Sequence, residues 1–201
     1  MTPPLEPPFW NAEIEQIPWC RELRAQHGAI WQELQQLIRY GQPFRAFPQY
    51  GLYSHYWEAF PLSVFEGEFN GNLPTGVDLV AMTAQIRQHL PVLSALIAPL
   101  ERQGHLRNGF VSRLLPGSVI HPHRGWTSDY LRVHLGLVTD PQCCITVGPE
   151  TQTWHPGQLL AFKDGGPYMH SVVHRGTGER IIASFDLRIS YVSQFVKINI
   201  K

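Results

Sequence analysis

The sequence is poor in charge and contains no long apolar run. Charged residues make up 16% of the 201 residues, and 16 basic residues are balanced by 16 acidic ones. A formal net charge of zero argues against a nucleic-acid binder, because affinity for phosphates requires an excess of Lys and Arg. No stretch approaches the ~18 apolar residues of a membrane span. We therefore expect neither a nucleic-acid partner nor a membrane span.

Cysteine is also scarce, and its positions exclude two classes of small structural site. Cys20, Cys143 and Cys144 are too few for a disulfide framework, and they include no C-x-x-C pair of the kind that holds structural zinc. The N-terminal sequence MTPPLEPPFW lacks the basic and apolar regions of a signal peptide. These absences predict a cytoplasmic protein.

Helical periodicity is confined to the first half of the chain. Apolar residues recur on one helical face over 29–40 and again over 79–90, and Pro91 is expected to end the second of these helices. A shorter helix is predicted over 19–26. Between the helices, residues 44–69 are rich in aromatics, Pro and Gly, which indicates irregular segments and short strands.

From about residue 107 the apolar positions alternate with polar ones instead. This pattern predicts strands over 131–137 and 180–187, and a last strand is predicted over 192–200. With 17 Gly and 17 Pro to supply turns, short strands of this kind are typical of an all-β sandwich or barrel of the jelly-roll type.

We predict a single domain, 1–201, with a mainly β fold. A helical and aromatic N-terminal part, 1–106, would pack against a cupin-like jelly-roll core, 107–201. Within that core, Arg132 and His134 share one face of a strand whose other face is aliphatic. If the aliphatic face fills the core, the Arg and His face looks into the mouth between the two sheets, where it would favour an anion such as a ligand carboxylate.

Two histidines far apart in the sequence, His123 and His170, could converge on one metal ion from neighbouring strands. Neutral imidazole suits Fe(II), Ni, Cu and Zn. A common iron site in oxygenases combines two histidines with an acid placed two residues after the first. Here that position is Gly125, so the spacing alone leaves the metal open.

The chain resembles the aspartyl/asparaginyl β-hydroxylase family, which consists of Fe(II)- and 2-oxoglutarate-dependent oxygenases with a double-stranded β-helix fold. The motifs that carry the resemblance are Ser112, Leu115-Pro116-Gly117, His123-Arg124-Gly125-Trp126-Thr127, Leu131 to Leu137, Trp154, Phe162-Lys163-Asp164, His170 and Arg180. The similarity covers the C-terminal half well and extends more loosely to Tyr53-Ser54-His55-Tyr56-Trp57. Several separately spaced elements agree, which makes the motif set specific.

The resemblance implies a role for each motif residue. His123 and His170 would be the catalytic iron ligands, with water at the place that Gly125 leaves, as in the animal members. Arg180, assisted by the Ser112 hydroxyl, would bind the far carboxylate of 2-oxoglutarate. Arg132 and His134 would contact its other end. With O2 as co-substrate, the reaction would hydroxylate an unactivated C–H bond and release succinate and CO2.

The substrate is predicted less closely than the cofactors. Animal members carry an Arg where this chain has Tyr130, and a phenol cannot neutralise a carboxylate. A neutral or apolar amino-acid side chain, free or within a peptide or protein, is therefore favoured over an acidic one. Tyr130, Trp126 and His55 are the candidate substrate contacts.

Two other classes of function stay open at this point. Because Gly125 supplies no acid, the chain could be a non-catalytic, cupin-like protein that binds a metal or ligand. A metal-dependent isomerase or hydrolase is the third possibility, but no general base and nucleophile stand at a recognisable spacing. Release of succinate from 2-oxoglutarate would separate the oxygenase from both.

Overall fold

The computed structural model describes residues 6–41, 43–64 and 78–197. Its helices are α1 Pro18–Ala25, α2 His27–Gly41, α3 Leu79–Gln88, α4 Pro91–Arg102 and α5 Ile189–Val192. Its strands are β1 Arg45–Ala46, β2 Tyr53–Ser54, β3 Trp57–Ser63, β4 Leu106–Leu114, β5 Val119–His123, β6 Tyr130–Val138, β7 Cys143–Val147, β8 Glu150–Thr153, β9 Leu159–Phe162, β10 His170–His174 and β11 Arg180–Arg188.

The strands form two antiparallel sheets. The six-stranded sheet has the order β1-β3-β4-β11-β6-β9, and the five-stranded sheet has the order β2-β5-β10-β7-β8. Buried side chains from both sheets, among them Phe110, Ile182, Ile145 and Val172, form one cluster between them. Two sheets closed over a shared interior make a jelly roll, or double-stranded β-helix. The fold class predicted from the sequence is confirmed.

The helices cover the outer face of the six-stranded sheet. Ile30 and Leu34 of α2, together with Leu93 and Ile97 of α4, are buried in one cluster with the aliphatic residues of β6 and β11. The opposite faces of β6 and β11 are therefore the ones that look into the interior between the sheets. Because β1 to β3 extend both sheets, the jelly roll draws strands from the part of the chain before residue 106 as well.

Proline 91 begins a helix as well as following one. The predicted helix over 79–90 is found as α3, which ends two residues earlier at Gln88, and Pro91 is then the first residue of α4, where its missing N–H costs nothing. Glu33 of α2 accepts hydrogen bonds from the next two backbone N–H groups, those of Val92 and Leu93, at 2.7 and 3.3 Å. The carboxylate therefore satisfies the exposed amides at the start of α4.

The last predicted strand is wrong over 192–197, and residues 198–200 lie outside the described part of the chain. The segment instead forms α5 and a series of turns. Ile189, Val192 and Val196 are buried against the helices and the six-stranded sheet, at the spacing of a helical face. No helix in the described ranges is long and apolar enough to cross a membrane.

Candidate active site

Two histidines face each other across a pair of antiparallel strands. His123 ends β5, His170 begins β10, and the two residues are directly opposed in the backbone ladder. The centroids of their imidazole rings lie 4.2 Å apart, with the ring planes inclined at 58°. The structure therefore brings together the two residues that the sequence predicted to share a metal ion.

The His123 ring is arranged as a metal ligand requires. Its Nδ1 donates a hydrogen bond of 2.7 Å to the carbonyl oxygen of His121, so in the neutral ring the lone pair is on Nε2. Burial lowers the pKa of His123, and the neighbouring His170 lowers it further. A neutral imidazole whose second nitrogen is fixed by a backbone carbonyl is the usual form of a metal-binding histidine.

Asp164 lies against this pair, on the connection between β9 and β10. Its Oδ1 is 3.2 Å from Nε2 of His170 and 2.6 Å from Nη1 of Arg132. Burial alone would raise the pKa of Asp164, but the Arg132 charge and the hydrogen bond with His170 hold it well below its usual range. The side chain is therefore a carboxylate beside the two imidazoles.

The carboxylate of Asp164 fills the space beside Gly125. A Cβ atom built on Gly125 would lie 1.8 Å from Oδ2 of Asp164. The backbone N–H of Gly125 also donates to the Asp164 carbonyl oxygen, at 2.8 Å. An acid therefore stands where the acid of the two-histidine-one-carboxylate pattern is missing, but it comes from a different loop.

In the part of the chain that the structure describes, no group of three or more His, Cys, Asp or Glu side chains has the arrangement of a complete metal site. Two opposed imidazoles with a carboxylate behind them nevertheless fit an ion that has two protein ligands and water at its other positions. Nδ1 of the buried His170 has no hydrogen-bond partner among the described residues.

Arg180 is a buried cation that has no carboxylate partner among the described residues. The residue is 1% exposed, and no carboxylate lies within ion-pair distance of it in the described chain. Its Nη1 donates to Oγ of Ser112 at 3.0 Å, and its guanidinium lies 5.0 Å from the ring centroid of Trp154. Its buried Nε has no hydrogen-bond partner in the part of the chain that the structure describes. A buried charge of this kind is costly unless an anion accompanies it.

His134 presents a hydrogen-bond donor to a small interior cavity that Arg180 also lines. Nε1 of Trp154 donates to Nδ1 of His134 at 3.2 Å, so the proton of the neutral ring is on Nε2. Burial, reinforced by the charges of Arg132 and Arg180, lowers the pKa of His134 well below its usual value. The cavity has a volume of about 40 Å³, and His123, His170, His134 and Arg180 are among its lining residues.

Arg132 reaches the site but is fully engaged by carboxylates. Its Nε and Nη2 donate to the two oxygens of Asp186, each at 2.8 Å, and its Nη1 donates to Asp164. A two-pronged contact of this kind is the strongest geometry available to arginine. In this structure Arg132 therefore fixes Asp164, while its contact with 2-oxoglutarate stays a prediction.

A wider cleft opens from the cavity toward the surface. It has a volume of about 690 Å³ and lies between residues 47–52 and residues 124–126, with His123, Arg132 and Asp164 at its base. Trp126, a predicted substrate contact, lines this cleft and is 85% exposed. Phe47 and Trp57 stack with their ring centroids 3.7 Å apart and form an aromatic wall.

The other two predicted substrate contacts do not line the cleft. His55 is exposed and has a backbone φ of 67°. Tyr130 is buried, with the guanidinium carbons of Arg107 and Arg188 at 4.9 and 5.5 Å from its ring centroid. The structure does not bring either residue to the histidine pair, and their roles stay predictions.

A family model described as aspartyl/asparaginyl beta-hydroxylase matches residues 24–189 of this chain. The chain belongs to this family. The resemblance inferred from the motifs is therefore confirmed, and it extends upstream through the helices. The histidine pair, Arg180 and Asp164 all lie inside the matched range of this β-hydroxylase family member.

Individual relatives match a shorter part of this chain than the family model does. It is 40% identical over 83 residues to aspartate beta-hydroxylase domain-containing protein 2 of Mus musculus, over 40% of this chain and 24% of that protein. It is 34% identical over 100 residues to aspartyl/asparaginyl beta-hydroxylase of Mus musculus, over 48% of this chain and 13% of that protein. The chain therefore spans less than a quarter of each curated relative.

Among solved structures, a prolyl-4-hydroxylase of Pseudomonas putida is similar. The similarity covers 81% of the present chain and 86% of the prolyl-4-hydroxylase chain. The sequence identity is 13% and the TM-score is 0.47.

Sequence reasoning missed the position of Asp164. The residue stands in the quoted motif Phe162-Lys163-Asp164, but no role was assigned to it, because an acid in a loop has no periodicity to interpret. Only the fold shows that Asp164 approaches Gly125, which lies 39 positions earlier in the chain. A glycine at the expected acid position together with an acid shortly before the second histidine is the signal that could have found it.

Proposed function

We propose that this chain is an Fe(II)- and 2-oxoglutarate-dependent dioxygenase that hydroxylates an unactivated C–H bond of an amino-acid residue. The observation that carries the proposal is the buried guanidinium of Arg180, which has no carboxylate partner in the described chain and faces the same interior as His123 and His170. A dianionic keto acid would compensate that charge with one carboxylate and reach toward the histidines with the other. Membership of the β-hydroxylase family supports the same reaction class.

The two imidazoles would hold the iron. His123 offers Nε2, His170 lies opposite it, and the carboxylate of Asp164 would accept hydrogen bonds from water at the vacant positions. When bound, Fe(II) and 2-oxoglutarate supply with O2 the oxidant for C–H cleavage, and succinate and CO2 are released. The protein contributes ligand orientation, charge matching and a cavity shielded from solvent.

The remaining residues would bind and orient the keto acid. Arg180 and the Ser112 hydroxyl would donate hydrogen bonds to its far carboxylate, and Nε2–H of His134 would donate to an oxygen at its other end. Arg132 would act by holding Asp164 in its ionised form beside the histidines. Burial of these groups strengthens each contact, because the effective dielectric constant is low there.

The side chain that is hydroxylated is proposed to carry no negative charge. At the base of the cleft, Arg132 already binds the two carboxylates of Asp164 and Asp186, so an entering carboxylate would meet repulsion from Asp164. Arg124 also lines the cleft, but its Nη2 is already engaged in a hydrogen bond to the carbonyl oxygen of Pro167. The substrate would be a neutral residue of a peptide or protein, or a free amino acid.

Succinate release under air, with Fe(II), ascorbate and 2-oxoglutarate, tests the reaction class. We expect uncoupled succinate formation, and Arg180→Ala should raise the 2-oxoglutarate concentration for half-maximal rate by about 10- to 100-fold. Arg113→Ala is the matched control, because Arg113 lies on the neighbouring β4 and forms a partly buried ion pair with Glu58. If no succinate forms with any amino acid or peptide offered, the oxygenase proposal fails and the cupin-like binding protein is favoured instead.

A further inference from the structure

An N-terminal segment, residues 6–11, runs along the edge of the six-stranded sheet. The backbone N–H of Trp10 donates to the carbonyl oxygen of Ala161 in β9 at 2.7 Å, and the Ala161 N–H donates to Oδ1 of Asn11 at 2.8 Å. Asn11 also donates to Oε1 of Gln152 in β8, at 2.7 Å. Residues 6–11 are therefore attached to both sheets at this side of the jelly roll.

The same segment binds both ends of the β9–β10 connection, residues 163–169. Oε1 of Glu6 lies 2.7 Å from Nζ of Lys163, and the hydroxyl of Tyr168 donates to the Glu6 carbonyl oxygen at 3.1 Å. Lys163 is 9% exposed, and its ammonium group lies 5.4 Å from the ring centroid of Trp10. The Glu6 side chain is 28% exposed, so the ion pair is partly buried, and removal of Glu6 would leave the nearly buried ammonium group of Lys163 without this partner.

The opposite side of the connection packs against the loop that follows His123. A Cβ atom on Gly165 would lie 2.2 Å from the carbonyl oxygen of Thr127, so the two loops touch through their backbones. The connection is therefore held between residues 6–11 on one side and residues 125–127 on the other. Asp164 is part of this connection, and His170 is the first residue after it.

We propose that Glu6 and Lys163 are positioning residues that hold Asp164 and His170 in the geometry needed for metal binding. The inference rests on the proposed function, since it concerns the same metal site. No hydrogen bond or ion pair in the described chain links Glu6 or Lys163 to the histidine pair, so both would act through the connection that they fix. Loss of partners that orient metal ligands typically lowers metal affinity by about 10- to 100-fold.

Charge reversal and its repair test this inference, with Co(II) as a redox-inert probe. The full chain is titrated with Co(II), and the dissociation constant and visible absorption spectrum are recorded for each variant. We expect Glu6→Lys and Lys163→Glu each to raise the dissociation constant by about 10-fold or more. The double variant E6K/K163E, which restores the pair in reverse, should return to within about threefold of the wild type. Glu6→Gln serves as a milder change should a reversal prevent folding.

The matched control is Glu15→Lys. Glu15 is also near the N-terminus, but it pairs with Arg24 at the surface, where ion pairs contribute little. The inference is overturned if Glu6→Lys binds Co(II) as the wild type does, or if the double variant is no better than either single reversal. Absence of Co(II) binding by the wild type would overturn the proposed function, and this inference with it.

Discussion

The carboxylate of Asp164 lies where a side chain on Gly125 would have to be, with Oδ2 only 1.8 Å from the position of the missing Cβ. Because Gly125 has no side chain, there is room at this position for an acid from another loop. We therefore expect the effects of substitutions at Asp164 and Gly125 on stability to be coupled.

Gly125→Ala should destabilise the protein unless Asp164 is shortened as well. We expect the single change to lower the free energy of unfolding by about 1–3 kcal/mol through overpacking. Asp164→Ala removes the carboxylate that the new methyl group would strike. A double-mutant cycle by urea denaturation should therefore give a favourable coupling of about 0.5–3 kcal/mol. Strict additivity of the two changes would contradict this steric relationship.

Asp164→Asn should weaken the fold at neutral pH and much less in acid. The wild-type carboxylate has a depressed pKa in the folded state, so its ion pair with Arg132 stabilises the protein above the unfolded pKa of about 3.9. That stabilisation is lost as the pH falls below this value toward the folded pKa. Urea denaturation should show a deficit for the variant of about 1–3 kcal/mol at pH 7. A deficit that is equal at pH 7 and pH 3 would argue against the ion pair.

Tyr130→Arg should not create a site for acidic substrates. The guanidinium groups of Arg107 and Arg188 both lie over the ring of Tyr130, so a third guanidinium in its place would lie close to two like charges. We expect the free energy of unfolding to fall by about 1–2 kcal/mol, whereas Tyr130→Phe should stay within about 0.5 kcal/mol of the wild type. If acidic peptides instead become better substrates of a stable Tyr130→Arg protein, Tyr130 faces the substrate.

Cys20 should resist alkylation in the folded protein. Burial, together with the nearby Glu15 charge, raises the pKa of the Cys20 thiol to about 12, so very little reactive thiolate exists at pH 8. Cys144 is only partly buried and should react with iodoacetamide at least about 100-fold faster. Peptide mass spectrometry after timed labelling measures both rates, and labelling in urea provides the control in which all three cysteines react. Equal rates in the native protein would show that the α1 region opens readily.

The parts of the fold with a strong periodic signal could be predicted from the sequence. In β6 the aliphatic residues Leu131, Val133 and Leu135 are buried against the helices, while Arg132 and His134 face the interior, as the alternation indicated. A period of two assigns every side chain of a strand to one of two faces, so a single correct strand already orients several site residues. The convergence of His123 and His170 depends on the pairing of β5 with β10, which alternation does not set, and it was predicted from the family motifs instead.

Other features could not be read from local pattern. Helix α4 was missed because Pro91 was interpreted only as an end, although proline is equally at home in the first turn of a helix. Tyr130 shares the inward face with Arg132, yet it packs against Arg107 and Arg188 from two other strands and does not line the cleft. Contacts of this kind depend on tertiary register, which one sequence does not encode in any short window.

Residues 6–11 also have a consequence for how molecules of this protein meet one another. β9 is the edge strand of the six-stranded sheet. An uncovered edge strand presents unpaired backbone N–H and C=O groups that can pair with a strand of another molecule. With Trp10 and Asn11 bonded to Ala161, part of this rim is already occupied by the molecule's own backbone and side chains. Removing the first eleven residues would thus expose the unpaired edge of β9. A protein shortened in this way is expected to aggregate through intermolecular strand pairing.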